Sequence, residues 1–226
     1  LLRCITFQKR TVINNQILDF QTQIFLGLQS LQVDGLDDPG SFGSAQEIRE
    51  FMLEGLPLSS KPIMPINAKD HILSTDFGQL KIREYCSENN PSSSPILYFH
   101  GGGYVLGGIE SHDDALRFFS AEMRANIFSL DYRLAPENKF PSSLQDANLA
   151  LEWLGKELNI PISNISLCGD SAGGHLCASL STYRAINKLE LPLSQCLIYP
   201  MIDPLCNSKS QVDFDSGFFL SQKAMI

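Results

Sequence analysis

The 226-residue sequence has no run of about 18 apolar residues that could cross a bilayer, and "LLRCITFQKR" at its start lacks an apolar core of signal-peptide length. The expectation is a soluble cytoplasmic protein with no stable membrane insertion. Positive charge is also in short supply: 17 Lys and Arg stand against 25 Asp and Glu, a net charge of −8. Such a surface repels phosphate backbones and anionic headgroups, which argues against nucleic acid or a lipid surface as partner. The six cysteines, at 4, 86, 168, 177, 196 and 206, include no C-x-x-C pair and no metal-ligand spacing. Three lie inside apolar runs where a small hydrophobe fits, so they read as buried thiols of a reducing compartment. Histidine is equally sparse, with four in the chain. Neither His71 nor His112 has a ligand partner at helical or C-x-x-C spacing, so no metal site is expected. A dinucleotide loop is missing its third glycine, because Leu106 stands where G-x-G-x-x-G after Gly101 and Gly103 needs it, and no cofactor is expected. Asn164-Ile165-Ser166 matches a glycosylation sequon, but it opens an expected buried strand and reads as a chance match.

What is present is enough apolar material for a large core, 43% of residues. Ile13, Ile17, Phe20, Ile24, Leu28 and Leu31 recur at steps of three and four, which predicts an amphipathic helix over 11–32. Asp37-Asp38-Pro39-Gly40 breaks it, and Ser44 with Glu47 at capping-box spacing opens a short helix that Gly55 stops. Residues 1–55 therefore read as a helical region distinct from 56–226. "HILST" and "QLKIREYC" flank Asp76-Phe77-Gly78 as a hairpin. The apolar runs "ILYFH", "NIFSLD", "ISLC" and "QCLIYP" then alternate with helical stretches such as 142–157 and 172–186. Strands alternating with helices predict an α/β fold, a mostly parallel sheet flanked by helices.

Chemistry concentrates at two loops. Gly169-Asp170-Ser171-Ala172-Gly173 fits G-x-S-x-G, the elbow that exposes a nucleophilic serine between a strand and a helix. A serine capping a helix after a strand is the plainer alternative. Upstream, "PILYFH" runs into His100-Gly101-Gly102-Gly103, an HGGG-type loop whose bare backbone can approach a substrate and offer N–H groups to a developing oxyanion.

The blocks "HGGGYVLGGIESHD", "DYRLAPENKFPSSLQDA" and "GDSAGG" resemble the hormone-sensitive-lipase-like branch of the α/β-hydrolase esterases, over about residue 60 to 226. The resemblance implies an α/β-hydrolase fold with a helical cap. It assigns Ser171 as nucleophile and Gly102, Gly103 and Ala172 as oxyanion-hole donors. His100, Gly101, Gly169, Asp170 and Gly173 support the motifs, and Asp131, Tyr132, Arg133 and Glu137 form a structural cluster. The cap would draw on residues 1–55 and on 207–226, with Phe214, Phe218 and Phe219. The implied activity is cofactor-free hydrolysis of small-molecule, short- to medium-chain acyl esters through an acyl-serine, with a homodimer left open. A receptor-like ligand-binding relative and an amidase or deacetylase with the same machinery remain as alternatives.

A serine hydroxyl needs a base, and in such hydrolases the triad runs Ser, then Asp or Glu, then His. Only His175 follows Ser171, and its side chain should lean along the helix, so it is not expected to be the base. Asp203 in "DPL" follows the sixth strand, one strand too early for the triad acid. The acid and the histidine are expected beyond Ile226, leaving the fold incomplete at its C-terminal side. His71, in the hairpin, and His112, just before a helix, read as surface or capping residues.

Overall fold

The computed structural model describes residues 10–32, 44–50, 66–86, 94–203, 205–218 and 220–225. The chain divides into two compact units, Leu1–Gly43 with Asp203–Ile226, and Ser44–Ile202.

In the smaller unit, residues 12–17 are a hairpin and not the beginning of a helix. Strand β1 (Val12–Ile13) pairs antiparallel with β2 (Gln16–Ile17), Val12 opposite Ile17. Asn14 and Asn15 make the turn at φ 50° and 62°, the left-handed conformation that a two-residue hairpin loop requires and that Asn tolerates. The helix starts only at α1 (Phe20–Gln32), capped by Asp19, whose carboxylate accepts the Thr22 N–H at 3.0 Å. Two short helices, Lys209–Asp213 and Gln222–Met225, belong to the same unit, and Asn14 donates to Asp213 at 2.6 Å.

The larger unit holds a six-stranded sheet. Its hairpin is β3 (Asn67–Thr75) and β4 (Gly78–Cys86), so the first strand begins four residues before "HILST". Then follow β5 (Ile96–Phe99), α2 (Ile109–Met123), β6 (Ile127–Asp131), α3 (Ser142–Glu157), β7 (Ser166–Asp170), α4 (Ala172–Ile186) and β8 (Ser194–Ile198). Strand order is β3-β4-β6-β5-β7-β8, with β4 antiparallel to β6 and the β6-β5-β7-β8 set parallel. Alternate side chains serve opposite faces. Leu97, Phe99, Phe128, Leu130 and Leu167 meet Leu151 and Leu154 of α3 and Leu176 and Leu180 of α4. Tyr98, Ile127 and Cys168 pack with Leu116 of α2 on the other face. Burying each such Leu or Phe fully contributes roughly 1.5–3 kcal/mol, and covering both faces explains why β5 and β6 read as unbroken apolar runs.

Topology places the chemistry. From β5 the chain crosses to β6 on one side, then returns to β7 on the other side of β5. The carboxyl ends of β5 and β7 therefore flank the point where strand order reverses, the usual crevice for ligands in such sheets. Among the described residues no helix is long and apolar enough to cross a membrane.

Candidate active site

Ser171 is the single residue between β7 and α4, at φ 52° and ψ −117°. This is a left-handed conformation that costs a non-glycine residue on the order of 1–3 kcal/mol unless its surroundings impose it. They do so here. Its N–H donates to the Ile198 carbonyl at 2.9 Å, and its own carbonyl accepts from the N–H groups of His175 at 3.0 Å and Met201 at 3.2 Å. The two glycines of the motif are required by close packing. A Cβ on Gly169 would lie 2.5 Å from the Gly173 backbone and 2.7 Å from the Phe99 carbonyl oxygen, and one on Gly173 would run into that same carbonyl. The first turn of α4 thus sits against the end of β5. Ala172, fully buried, opens the helix, where the leading N–H groups have no partner within the helix.

Directly after β5 the glycine loop folds on itself. Gly102, at φ 118°, accepts the N–H groups of Val105 at 3.0 Å and Leu106 at 2.8 Å, and a Cβ there would strike the Leu106 carbonyl. Gly101 lies against Asp170: its N–H donates to Asp170 Oδ1 at 2.8 Å, and a side chain would collide with that carboxylate. The same oxygen accepts the Tyr98 hydroxyl at 2.7 Å and faces His112 Nε2 at 3.4 Å. A carboxylate can only accept, so Nε2 of His112 carries a proton. Burial opposes ionisation of Asp170, but the hydrogen bonds from His112 and Tyr98 outweigh it and hold the carboxyl below its usual range.

His100 is fully buried, with its ring stacked on Tyr132 at 4.2 Å and 8°. Its Nδ1–H donates to the Gly101 carbonyl at 2.7 Å, and the Tyr132 hydroxyl donates to the His100 carbonyl at 2.7 Å. Burial pulls its pKa down to about 4, so the ring is neutral at pH 7. Arg133 braces the loop that follows β6 by donating to Asp146, itself fully buried, at 2.7 Å, and its guanidinium lies 3.5 Å over the Phe77 ring. Glu137 pairs with Arg49, which also donates to the carbonyls of Val105 and Ala135, each at 2.7 Å. Burial raises the pKa of the Asp131 carboxyl.

All four histidines of the chain are described, and each is committed elsewhere than to the Ser171 hydroxyl. His71 meets Glu84 at 2.8 Å and stands edge-on to Trp153, so it is a packed residue rather than a surface one. His112 lies inside α2, not before it, and its Nδ1 meets Ser111 Oγ at 2.8 Å. His175 Nδ1 lies 2.6 Å from the Tyr104 hydroxyl. Asp203 serves a local turn, accepting the Leu205 N–H at 3.0 Å. The glycine loop and the serine turn, which the motifs single out, come together at neighbouring strand ends. Sequence reasoning missed Arg49, Tyr104 and the inward role of His112. Cys196 is exposed, against the expectation that the thiols are buried, whereas Cys168 and Cys177 are buried.

A family model described as alpha/beta hydrolase fold matches residues 96–226. The arylesterase of Saccharolobus solfataricus is 35% identical over 179 residues, which cover 77% of this chain and 58% of that protein. Hormone-sensitive lipase of Ictidomys tridecemlineatus is 36% identical over 124 residues, 54% of this chain and 16% of that one. Among solved structures, the hyperthermophilic esterase from the archaeon Pyrobaculum calidifontis superposes with a TM-score of 0.79 at 27% identity, over 92% of this chain and 67% of that one. The chain spans about three fifths of the length (58–60%) of the curated esterases that it matches over most of its own length.

Proposed function

We propose that this chain, which belongs to the alpha/beta hydrolase fold family in its hormone-sensitive-lipase-like branch, carries the nucleophile and the oxyanion hole of a serine carboxylesterase acting on short- to medium-chain acyl esters. The observation that carries this reading is the strained Ser171 turn standing beside the glycine loop at the ends of two adjacent parallel strands. The relatives that this chain matches over most of its length are ester hydrolases, so the receptor-like reading is the weaker one.

In this mechanism Ser171 Oγ attacks the ester carbonyl carbon and gives up its proton to a base. The carbonyl oxygen, now negative, takes the N–H groups of Gly102, Gly103 and Ala172. Collapse expels the alcohol, which is protonated as it leaves, and water then cleaves the acyl-serine by the same route. The base is an imidazole oriented by a carboxylate. With all four histidines of this sequence engaged elsewhere and Asp203, the acid candidate, held in a local turn, we assign both groups to residues outside it. His100, Gly101, Asp170, Gly169 and Gly173 hold the two loops in place. The smaller unit supplies the cap in this reading; it holds a cavity of its own, lined by Ile13, Ile17, Leu18, Phe214 and Phe218 together with the polar Thr11, Gln16 and Asp19. Phe219, also expected in the cap, and Gly55, expected to stop the short helix that Ser44 opens, lie outside the described residues. We place the protein in the cytoplasm, where the buried thiols of Cys168 and Cys177 stay reduced, with a small-molecule ester as its partner.

In the full-length natural protein, Ser171→Ala is expected to lower hydrolysis of p-nitrophenyl butyrate on the order of a thousandfold or more, with an unchanged far-UV spectrum. Activity within about threefold of the parent protein would overturn the assignment.

A further inference from the structure

Gly102 and Gly103 are bracketed by two side-chain anchors. On one flank the Gly101 N–H donates to Asp170, the residue directly before Ser171, at 2.8 Å. On the other, the Tyr104 hydroxyl lies 2.6 Å from Nδ1 of His175. His175 is the residue whose backbone N–H donates to the Ser171 carbonyl. Both anchors therefore grow from the turn that carries the serine, and both hold the loop at the end of the neighbouring strand.

The second anchor has a direction. Burial raises the phenol pKa of Tyr104 and lowers that of the His175 ring, so both are neutral near pH 7. Tyr104 then donates to Nδ1, and the remaining Nε2–H faces Ser179 Oγ at 3.4 Å. The rings meet edge to face, with centroids 5.8 Å apart at 85°. Tyr104 also sits at φ 64°, unusual for a bulky side chain, and its carbonyl accepts the Ala135 N–H at 2.9 Å. A strained residue persists where its surroundings fix it at more than one point, and here the backbone and the hydroxyl tip are both held. Core packing of Tyr104 against its apolar neighbours would be served as well by phenylalanine, so the hydroxyl needs a separate reason.

We infer that Tyr104 and His175 are positioning residues, whose hydrogen bond sets the distance of the Gly102 and Gly103 N–H groups from Ser171. The inference rests on the ester-hydrolase reading of that serine. Neither side chain takes a proton in the reaction; the pair acts through the loop it holds.

The test uses the full-length natural protein. Tyr104→Phe keeps the ring and deletes the bond. It is expected to lower kcat on p-nitrophenyl butyrate about 10- to 100-fold, as for a misplaced oxyanion donor, with KM within about twofold. A trifluoromethyl ketone, which adds to Ser171 and puts an oxyanion in the hole, should bind more weakly by a similar factor. His175→Leu should reproduce the loss, and the double variant should be no worse than either single one. His175→Asn, whose amide oxygen can accept where Nδ1 does, should keep kcat within about threefold. Amide hydrogen exchange over residues 101–106 should speed up in Tyr104→Phe, an outcome that needs no catalysis. Parental kcat and exchange in Tyr104→Phe would overturn the inference, as would a loss in His175→Asn equal to that in His175→Leu. If Ser171→Ala retains activity, the ester-hydrolase reading fails instead, and the exchange rates still decide whether the pair holds the loop.

Discussion

At Ser171 the fold gives up stability to hold a serine in the turn between a strand and a helix. A non-glycine residue at φ 52° and ψ −117° costs about 1–3 kcal/mol. Glycine adopts this region freely but loses an extra ~0.5–1 kcal/mol of entropy on folding. Ser171→Gly should therefore be more stable than the parent by up to ~2 kcal/mol, raising Tm by a few degrees for a chain of this size, while ester hydrolysis disappears. Ser171→Ala keeps the Cβ and so keeps the strain, which makes it the proper reference. Differential scanning calorimetry of the two variants decides the matter: equal melting temperatures would mean that the turn stores no strain worth relieving. The same residue illustrates how much of the site was legible in the sequence. Ser171, Gly101, Gly102 and Asp170 announce themselves through short spacings that a strand-turn-helix imposes. Arg49 with Val105, 56 positions apart, and Tyr104 with His175, 71 apart, leave no local pattern, because only the tertiary fold brings them together.

Among the elements, the contact between β5 and α4 is the most demanding. Gly173 lies so near the end of β5 that a methyl group would run into the Phe99 carbonyl and come within 2.7 Å of the His100 carbonyl oxygen. Backbone on both sides cannot step aside as a side chain could. Gly173→Ala should cost at least ~1–3 kcal/mol, the usual price of overpacking, and lower Tm by several degrees. Activity should fall with it, since β5 carries the glycine loop. A melting temperature within a degree of the parent's would show that the two elements are not locked together there. Element boundaries were legible where apolar periodicity was long and uninterrupted: α3 and α4 run over 142–157 and 172–186, the ranges the spacing gives. They were not legible at 12–17, because Ile13 and Ile17, four apart, suit a helix and a hairpin alike. The turn signal there was Asn14-Asn15, two residues that tolerate a left-handed backbone. His112 was placed outside its helix because α2 starts three residues earlier, behind Gly108, with the Gly108 N–H donating to Ser111 Oγ at 3.0 Å.

For the molecule as a whole, the buried ionisable groups make stability a function of pH, and the sign can be worked out group by group. His100 has a folded pKa of about 4 because burial penalises its charged form, against about 6.5 in an unfolded chain. Between those values the unfolded state binds a proton that the folded state refuses, so stability is lost as pH falls from about 6.5 towards 4, by roughly 3 kcal/mol in all. Burial of His175 acts in the same direction. Asp131 opposes both: burial raises its pKa, so protonation relieves it as pH falls. Below pH 4 a second loss begins. The Arg83 hydrogen bond, partly offset by burial, holds Asp70 down to about 2, and Asp170 also sits below its ordinary value. Each contributes stability above its unfolded pKa that disappears as acid protonates it. Thermal melts across pH 4–8 should therefore show Tm falling below pH 6.5, well before Asp70 and Asp170 titrate. His100→Asn, which can keep the donor to the Gly101 carbonyl but has no imidazole to titrate, should flatten the upper part of that profile whatever its absolute Tm. A parent profile flat from pH 7 to 4.5, or an unchanged slope in the variant, would remove His100 as the source of acid lability and with it the picture of a neutral imidazole buried under the glycine loop.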